Sequence, residues 1–198
     1  MEHTRRFVAV LLILALSLGL GFGIDALWSA LDRSSHPNDR YGEQIAKYSA
    51  EYNVPEYILY AVIKVESNFD PRAESAKGAR GLMQMIQSTF LWLTGEEHLQ
   101  EHLAFDALYD PDVAIRYGAY YLRYLYRTFD YDWHLAIAAY NGGETNVKKW
   151  LKNPEYTDEE GKLTYIPFEE TGAYVSKVEA AIKTYQKLYY QPNEGVEA

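Results

Sequence analysis

The sequence of 198 residues contains no cysteine, and this absence removes several functions at once. Without thiols the chain has no disulfides, no cysteine nucleophile, no cysteine zinc site and no acylated N-terminal cysteine as a membrane anchor. The absence does not identify the compartment, because exported proteins can also be stable without disulfides.

Positive charge is also scarce. Lys and Arg total 19 against 28 Asp and Glu, which leaves a formal net charge of −9. A protein that binds a polyanion normally presents a basic face, so nucleic acid is not an expected partner. Tyrosine, by contrast, is abundant at 19 copies. It buries area and keeps a polar hydroxyl, so it suits both half-buried helix faces and sugar-binding grooves.

One long hydrophobic run is present, at residues 7–24, and His3, Arg5 and Arg6 precede it. At helical rise the run spans about 27 Å, close to the thickness of a bilayer core. Because the positive charges come first, residues 1–24 are predicted to be a single-pass membrane anchor with the rest of the chain extracytoplasmic. Secretion after signal cleavage is the alternative, but Trp28 occupies the −3 position of the nearest cleavage site.

The remainder of the chain has helical periodicity and turns rich in Gly, Pro and Asn, with no series of strands. An all-α domain is therefore predicted over residues 41–190, between a polar linker at 25–40 and a tail at 191–198. The predicted helices cover approximately 41–52, 55–68, 87–94, 111–129, 133–140, 144–151 and 171–189.

Glu66 occupies an unusual position for a charged residue. Leu59 and Ile63 define an apolar stripe at i and i+4 of the second predicted helix, and the i+7 position is Glu66. At the C-terminal turn of a mostly buried helix, desolvation and the negative helix end both raise the pKa of a carboxyl group. Such a group can act as a general acid. The alternative is that Glu66 rotates into solvent at a fraying helix end.

Three blocks of sequence follow one another in a characteristic order. They are residues 66–69 (ESNF) with 78–84 (GARGLMQ), residues 136–143 (AIAAYNGG), and residues 166–171 (IPFEET). Together they resemble the catalytic domain shared by soluble lytic transglycosylases and related to goose-type lysozyme. The resemblance covers roughly residues 41–190 and implies a lysozyme-like helical domain behind the predicted anchor helix.

The resemblance implies substrate-binding roles for five side chains around the catalytic glutamate. Ser75 matches a serine near the reacting sugar, and Gln84 matches a sugar contact. Tyr140 matches a tyrosine whose hydroxyl bonds the catalytic glutamate. Glu170 and Tyr174 match groove residues of the third block.

The reaction implied by the resemblance is cleavage of the β-1,4 bond between N-acetylmuramic acid and N-acetylglucosamine in peptidoglycan. Glu66 matches the single general acid and base, and the products end in 1,6-anhydromuramic acid. No metal or organic cofactor is implied. The expected partners are the glycan strands and, through residues 1–24, the membrane; envelope protein partners stay open.

Two other functions remain open at this point. A lysozyme-type hydrolase would use water on the same scaffold and would need a second carboxylate facing Glu66. Asp70 and Glu74 are close in sequence. The other rival is a catalytically silent glycan-binding module, which the joint presence of the glutamate and the groove residues disfavours.

A zinc-peptidase pattern, H-x-x-E-H, occurs at residues 98–102. It lies in a charged segment, 96–104, that has no apolar frame. The remaining histidines, His3, His36 and His134, supply no obvious further ligand set. A solvated helical turn is therefore the favoured interpretation of this segment, and no metal site is predicted.

Overall fold

The computed structural model describes residues 38–189 of the chain. This part consists of helices joined by turns, with isolated β-bridges and no strand, so the predicted all-α class is confirmed for it. The helices are α1 (Asn38–Tyr52), α2 (Glu56–Ser67), α3 (Gln87–Leu93), a 3-10 helix (Phe105–Tyr109), α4 (Pro111–Thr128), α5 (Trp133–Gly142), α6 (Glu144–Trp150) and α7 (Glu169–Tyr189).

The predicted membrane anchor at residues 1–24 lies outside the described range, as do the tail at 191–198 and most of the linker. Among residues 38–189, no helix has the length and apolar character needed to cross a membrane. The anchor therefore stays a prediction from the sequence.

Several helix boundaries differ from the predicted ones. α1 begins at Asn38, inside the predicted linker, and α5 continues past Tyr140 to Gly142. A glycine is favoured at position 142 of this helix, because a Cβ there would lie only 3.0 Å from atoms of both Thr171 and Trp150. The 3-10 helix was not predicted, since so short an element has no hydrophobic period to reveal it.

α2 forms the centre of the domain, and its residues from Ile58 to Ile63 are all buried. It packs against α7, where Tyr60 stacks on Tyr185 with ring centroids 5.4 Å apart. Each large apolar side chain buried in this way stabilises the fold by about 1.5–3 kcal/mol. α2 ends at Ser67 and is followed by its C-cap, Asn68, which adopts a left-handed conformation with φ 50°. A rigid, buried helix therefore holds Glu66 at its last turn.

The loop between α2 and α3 is held against the core by main-chain contacts. The Ser67 hydroxyl donates to the Leu82 carbonyl at 2.9 Å. Gly81, with φ +72°, runs so close to the 3-10 helix that a Cβ on it would lie 1.9 Å from the Leu108 carbonyl oxygen. Only glycine fits this path, and the path brings residues 82–84 beside the end of α2.

Candidate active site

A groove of about 710 Å³ brings residues of the three sequence blocks together. Five of the six residues singled out from the sequence line it: Glu66, Ser75, Gln84, Tyr140 and Glu170. The sixth, Tyr174, is buried and is not part of the groove surface.

Glu66 presents a desolvated carboxyl group to this groove. The residue as a whole is half-buried. Burial raises the pKa of its carboxyl group from the ordinary 4.5 to about 7. The carboxyl group therefore lies away from bulk water in this structure, and a pKa of about 7 allows it to gain or lose a proton near neutral pH.

Tyr174 acts on Glu66 from within the core. Burial raises the pKa of Tyr174 well above its ordinary value, with the charge of Glu66 adding to the effect, so the phenol stays protonated. Its hydroxyl favours the ionised Glu66 and so lowers the pKa of that carboxyl against the effect of burial. The hydroxyl has no hydrogen bond of normal geometry with any of residues 38–189. Glu66 is therefore the polar group with which this buried hydroxyl interacts.

Tyr140 makes a different hydrogen bond from the one the resemblance implied. Its hydroxyl donates to the main-chain carbonyl of Met83 at 2.8 Å, not to Glu66. The reason is the close path of the loop, which places the Met83 carbonyl beside the end of α5. Burial first, and then the charge of Glu66, raises the pKa of Tyr140 well above its ordinary value. Tyr140 therefore connects the loop to α5 and also borders the Glu66 carboxyl.

Ser75 and Gln84 both use part of their hydrogen-bonding capacity on the loop itself. Ser75 Oγ accepts from the Ala79 N–H at 3.0 Å, and Gln84 Nε2 donates to the carbonyls of Ala73 and Gly81, each at 3.0 Å. Gln84 also adopts φ +46°. What remains for a ligand is the Ser75 hydroxyl proton and the Gln84 amide oxygen.

Glu170 of the third block pairs with the loop that precedes residues 78–84. Lys77 Nζ lies 2.9 Å from one of its carboxylate oxygens and 3.0 Å from the other. Both side chains are exposed, so the pair contributes about 0–1 kcal/mol to stability. Lys77 also lines the groove. Sequence reasoning missed this lysine, because a lone lysine in a loop has no pattern.

Further groove residues went unrecognised although two of them lie inside the quoted blocks. Thr171 donates to the Asn141 side-chain oxygen at 2.9 Å, and both residues line the groove. Tyr121 lines it as well, with its ring centroid 5.4 Å from that of Tyr140. Nothing in the sequence separates Tyr121 from the neighbouring tyrosines of α4.

The two carboxylates named for a rival hydrolase serve other purposes. Asp70 accepts from the main-chain N–H of Arg72 at 2.9 Å in a local turn. Glu74 accepts from the Tyr109 hydroxyl at 2.7 Å and pairs with Arg80 at 3.5 Å. Neither side chain lines the groove. The groove does contain Glu169 and Glu170, at the start of α7.

The H-x-x-E-H segment is neither a helix nor, among residues 38–189, part of any cluster suited to a metal ion. A turn at residues 98–99 is followed by irregular chain at 100–102 instead of the expected helical turn, so the two histidines do not share a helix face. His98 Nδ1 lies 3.1 Å from the Tyr120 hydroxyl. Glu101 accepts from Arg116 at 2.6 Å and from Tyr117 at 3.0 Å.

An all-helical domain with a desolvated glutamate beside a groove has the architecture of lysozyme-like domains. Residues 43–162 match the Transglycosylase SLT domain family. The chain is 31% identical over 139 residues to the soluble lytic murein transglycosylase of Escherichia coli K12, covering 70% of this chain and 22% of the relative. It is 33% identical over 136 residues to membrane-bound lytic murein transglycosylase D of the same strain, covering 68% and 29%.

Two solved structures are similar. The 70 kDa soluble lytic transglycosylase of Escherichia coli has a TM-score of 0.72 at 29% identity, covering 84% of this chain and 27% of that one. Lytic transglycosylase Slt of Pseudomonas aeruginosa, solved as an inactive Glu-to-Gln mutant, has a TM-score of 0.68 at 28% identity, covering 80% and 26%. The chain belongs to the SLT transglycosylase family, and it spans about a quarter of the length of these relatives.

Proposed function

We propose that the chain is a peptidoglycan lytic transglycosylase that cleaves the β-1,4 bond between N-acetylmuramic acid and N-acetylglucosamine. The observation that carries this proposal is the desolvated Glu66, whose pKa is raised to about 7, in a groove lined by residues of all three family blocks. The family membership supports the substrate class.

In the first step, protonated Glu66 donates its proton to the glycosidic oxygen as the bond to C1 of muramic acid breaks. The N-acetylglucosamine side leaves as an alcohol, and positive charge develops at C1. The acetamide of muramic acid stabilises that charge, as in substrate-assisted glycosidases, which need no second protein carboxylate.

In the second step, the ionised Glu66 removes the proton from the C6 hydroxyl of the same muramic acid. The C6 oxygen then bonds to C1, which gives a 1,6-anhydro end without consuming water and returns Glu66 to its protonated form. The Tyr174 hydroxyl favours the ionised carboxylate between the two steps. A pKa near 7 suits a group that must act first as an acid and then as a base.

Digestion of peptidoglycan sacculi in ¹⁸O-labelled water tests the reaction. We expect products that end in 1,6-anhydromuramic acid and carry no label at the new terminus, as read by mass spectrometry. The C6 hydroxyl is tethered beside C1 and needs little further ordering, so it competes well with water. Label at the muramic acid terminus would show hydrolysis, and the transglycosylase proposal would then be wrong even if Glu66 proved essential.

Cleavage is expected to slow as the pH rises through about 7. The first step needs protonated Glu66, so the rate should drop by about tenfold for each pH unit above its pKa. A glutamate at its ordinary pKa of 4.5 would already be ionised at pH 6. A rate profile measured from pH 4 to 9 checks this, and the limb where the rate falls with rising pH should lie near pH 7. A limb near pH 4.5, or no limb up to pH 9, would contradict the assigned environment of Glu66.

A matched pair of tyrosine variants tests the role of Tyr174 in the same assay. Tyr174→Phe removes the hydroxyl that lowers the Glu66 pKa, so the limb should move to higher pH. Tyr165→Phe, at an exposed position outside the groove, should leave the limb in place. A purely structural defect in Tyr174→Phe would lower the rate at every pH without moving the limb.

We also propose that residues 1–24 anchor the protein in the membrane, with the catalytic domain outside. The hydrophobic run and the positive charges before it support this proposal. The protein is expected in the membrane fraction of cells, with its N-terminus intact. Sequencing that finds a mature N-terminus between residues 25 and 41 would overturn the anchor in favour of signal cleavage.

A further inference from the structure

A second cavity, of about 860 Å³, lies beside a different face of α4 from the catalytic groove. We call it the tyrosine cleft; it is lined by Tyr52, Tyr120, Tyr124, Tyr131, Arg123 and Arg127, among others. Tyr121, next to Tyr120 in the sequence, lines the groove instead. The two cavities therefore occupy adjacent faces of one helix.

The aromatic walls of the tyrosine cleft hold each other in place. Tyr52 meets Tyr120 edge to face, with ring centroids 5.5 Å apart, and the Tyr120 hydroxyl lies 3.1 Å from His98 Nδ1. Tyr124 meets Trp92 edge to face at 4.9 Å. Tyr131 at the rim is 61% exposed. Rings fixed in this way present apolar area and hydroxyls to a ligand at little further cost in entropy.

The two arginines of the tyrosine cleft lack partners that other arginines of the domain have. Arg123 and Arg127 are one helical turn apart, and neither makes an ion pair or hydrogen bond within residues 38–189. Arg116 on the same helix is paired with Glu101 at 2.6 Å. Like charges at i and i+4 repel each other, so the arrangement costs stability in the free protein. The negative helix end compensates Arg127 in the last turn but not Arg123.

Arg123 is nevertheless held in a defined position. Its guanidinium carbon lies 5.8 Å from the Tyr126 ring centroid and 5.9 Å from that of Tyr131. These contacts use the faces of the rings and leave the N–H donors of the guanidinium unused. A planar guanidinium with unused donors is suited to bidentate binding of a carboxylate.

Acidic residues line the same cavity. Glu51, Glu97 and Asp130 all border the tyrosine cleft, and none of them forms an ion pair with Arg123 or Arg127. The cleft therefore offers sites for both carboxylates and an amine, beside an aromatic wall. A short peptide that carries several carboxylates and a free amine has the complementary chemistry.

We propose that the tyrosine cleft binds the peptide stem of peptidoglycan, through its carboxylates at Arg123 and Arg127. This inference rests on the proposed function for the choice of a stem peptide over a protein segment. Trp92 makes the choice reasonable, because its ring contacts Tyr121 of the groove at 6.1 Å and Tyr124 of the cleft at 4.9 Å. Trp92 therefore packs against one tyrosine that lines the groove and one that lines the cleft, so one polymer can place its glycan in the groove and its peptide in the cleft.

Calorimetric titration of the full-length chain with the sugar-free tripeptide L-Ala-γ-D-Glu-meso-diaminopimelate tests the proposal. The double variant Arg123→Gln, Arg127→Gln should bind it at least about tenfold more weakly than the parent chain, and amidation of the peptide carboxylates should weaken it similarly. Arg72→Gln, at an exposed arginine outside both cavities, should leave the affinity unchanged. Unchanged near-UV circular dichroism and unchanged cleavage of peptide-free glycan check that the double variant is folded.

Several outcomes would overturn the proposal. The tripeptide could fail to bind, bind equally well to the double variant, or lose affinity equally with Arg72→Gln. Equal binding of an all-L peptide with the same charges would assign the cleft to a protein segment instead. Because the titration uses neither Glu66 nor a glycan, it can fail while cleavage of sacculi persists. It can also succeed in a chain that cleaves nothing, so the two proposals are separable.

Discussion

Replacing Glu66 by glutamine is expected to slow glycan cleavage at least about a hundredfold, the low end for loss of a positioned acid and base. The amide is nearly isosteric with the carboxylic acid but can neither give up a proton to the glycosidic oxygen nor take one from the C6 hydroxyl. Release of soluble fragments from sacculi measures the rate. Glu43→Gln, at an exposed position on α1, makes the same chemical change outside the groove and should retain full activity.

The stability of the same variant provides a readout that does not depend on activity. Because the folded-state pKa of Glu66 is raised to about 7, the folded protein holds this proton more tightly than the unfolded chain does. The contribution of Glu66 to stability is therefore fully present below its unfolded pKa, near 4.5, and is lost as the pH rises through about 7. The difference in the free energy of unfolding between Glu66→Gln and the parent chain should accordingly shift in favour of the variant between pH 4 and pH 9.

Two results would contradict the assignment of Glu66. Activity of Glu66→Gln within a few-fold of the parent, with an unchanged circular dichroism spectrum, would remove it as the acid and base. Equal pH dependence of unfolding in the variant and the parent would show that the carboxyl is not desolvated.

Helical periodicity was sufficient to predict the long elements of this fold. α2 and α4 were predicted to within a residue or two, because Pro55 and Pro111 mark their starts and their apolar positions recur every three or four residues. The 3-10 helix at Phe105–Tyr109 was missed. It is stabilised by tertiary contact, with Leu108 buried against α3 and α4, and such contact leaves no local pattern.

The candidate site was predictable where a residue violated a pattern, and not where its role depends on contacts between distant segments. Glu66 stood out because it interrupts an apolar stripe. The bond from Tyr140 to the Met83 carbonyl joins residues 57 positions apart, and the Lys77–Glu170 pair joins residues 93 positions apart. Neither contact could be inferred from local sequence, and the resemblance assigned the Tyr140 hydroxyl to a different partner.

Two glycines of the loop, Gly78 and Gly81, adopt conformations that favour glycine, and the sequence does not distinguish between them. Gly78 and Gly81 have similar conformations, with φ of +75° and +72°. Their surroundings differ completely. No atom lies within 4 Å of a Cβ built on Gly78, whereas one built on Gly81 would lie 1.9 Å from the Leu108 carbonyl oxygen and 2.9 Å from its carbon.

This contrast gives a matched pair of variants with a large expected difference. Gly78→Ala adds only the strain of a left-handed conformation, and should lower the free energy of unfolding by about 1–2 kcal/mol. Gly81→Ala adds that strain and a clash with main chain that cannot rotate away, and should lower it by about 4 kcal/mol or more. Urea denaturation of the two variants and the parent measures both values.

The same clash should reach the groove that contains Glu66. The Gly81 carbonyl accepts from Gln84 Nε2 at 3.0 Å and from the Gln84 N–H at 3.2 Å. The carbonyl of Met83, the residue before Gln84, accepts from the Tyr140 hydroxyl. Moving Gly81 away from Leu108 therefore displaces the segment that positions Gln84 and Tyr140 beside Glu66, and a displacement of about 1 Å can cost a hundredfold in rate. Any Gly81→Ala protein that remains folded should cleave sacculi far more slowly than Gly78→Ala. Equal stability and equal activity of the two variants would show that the loop does not depend on this close approach.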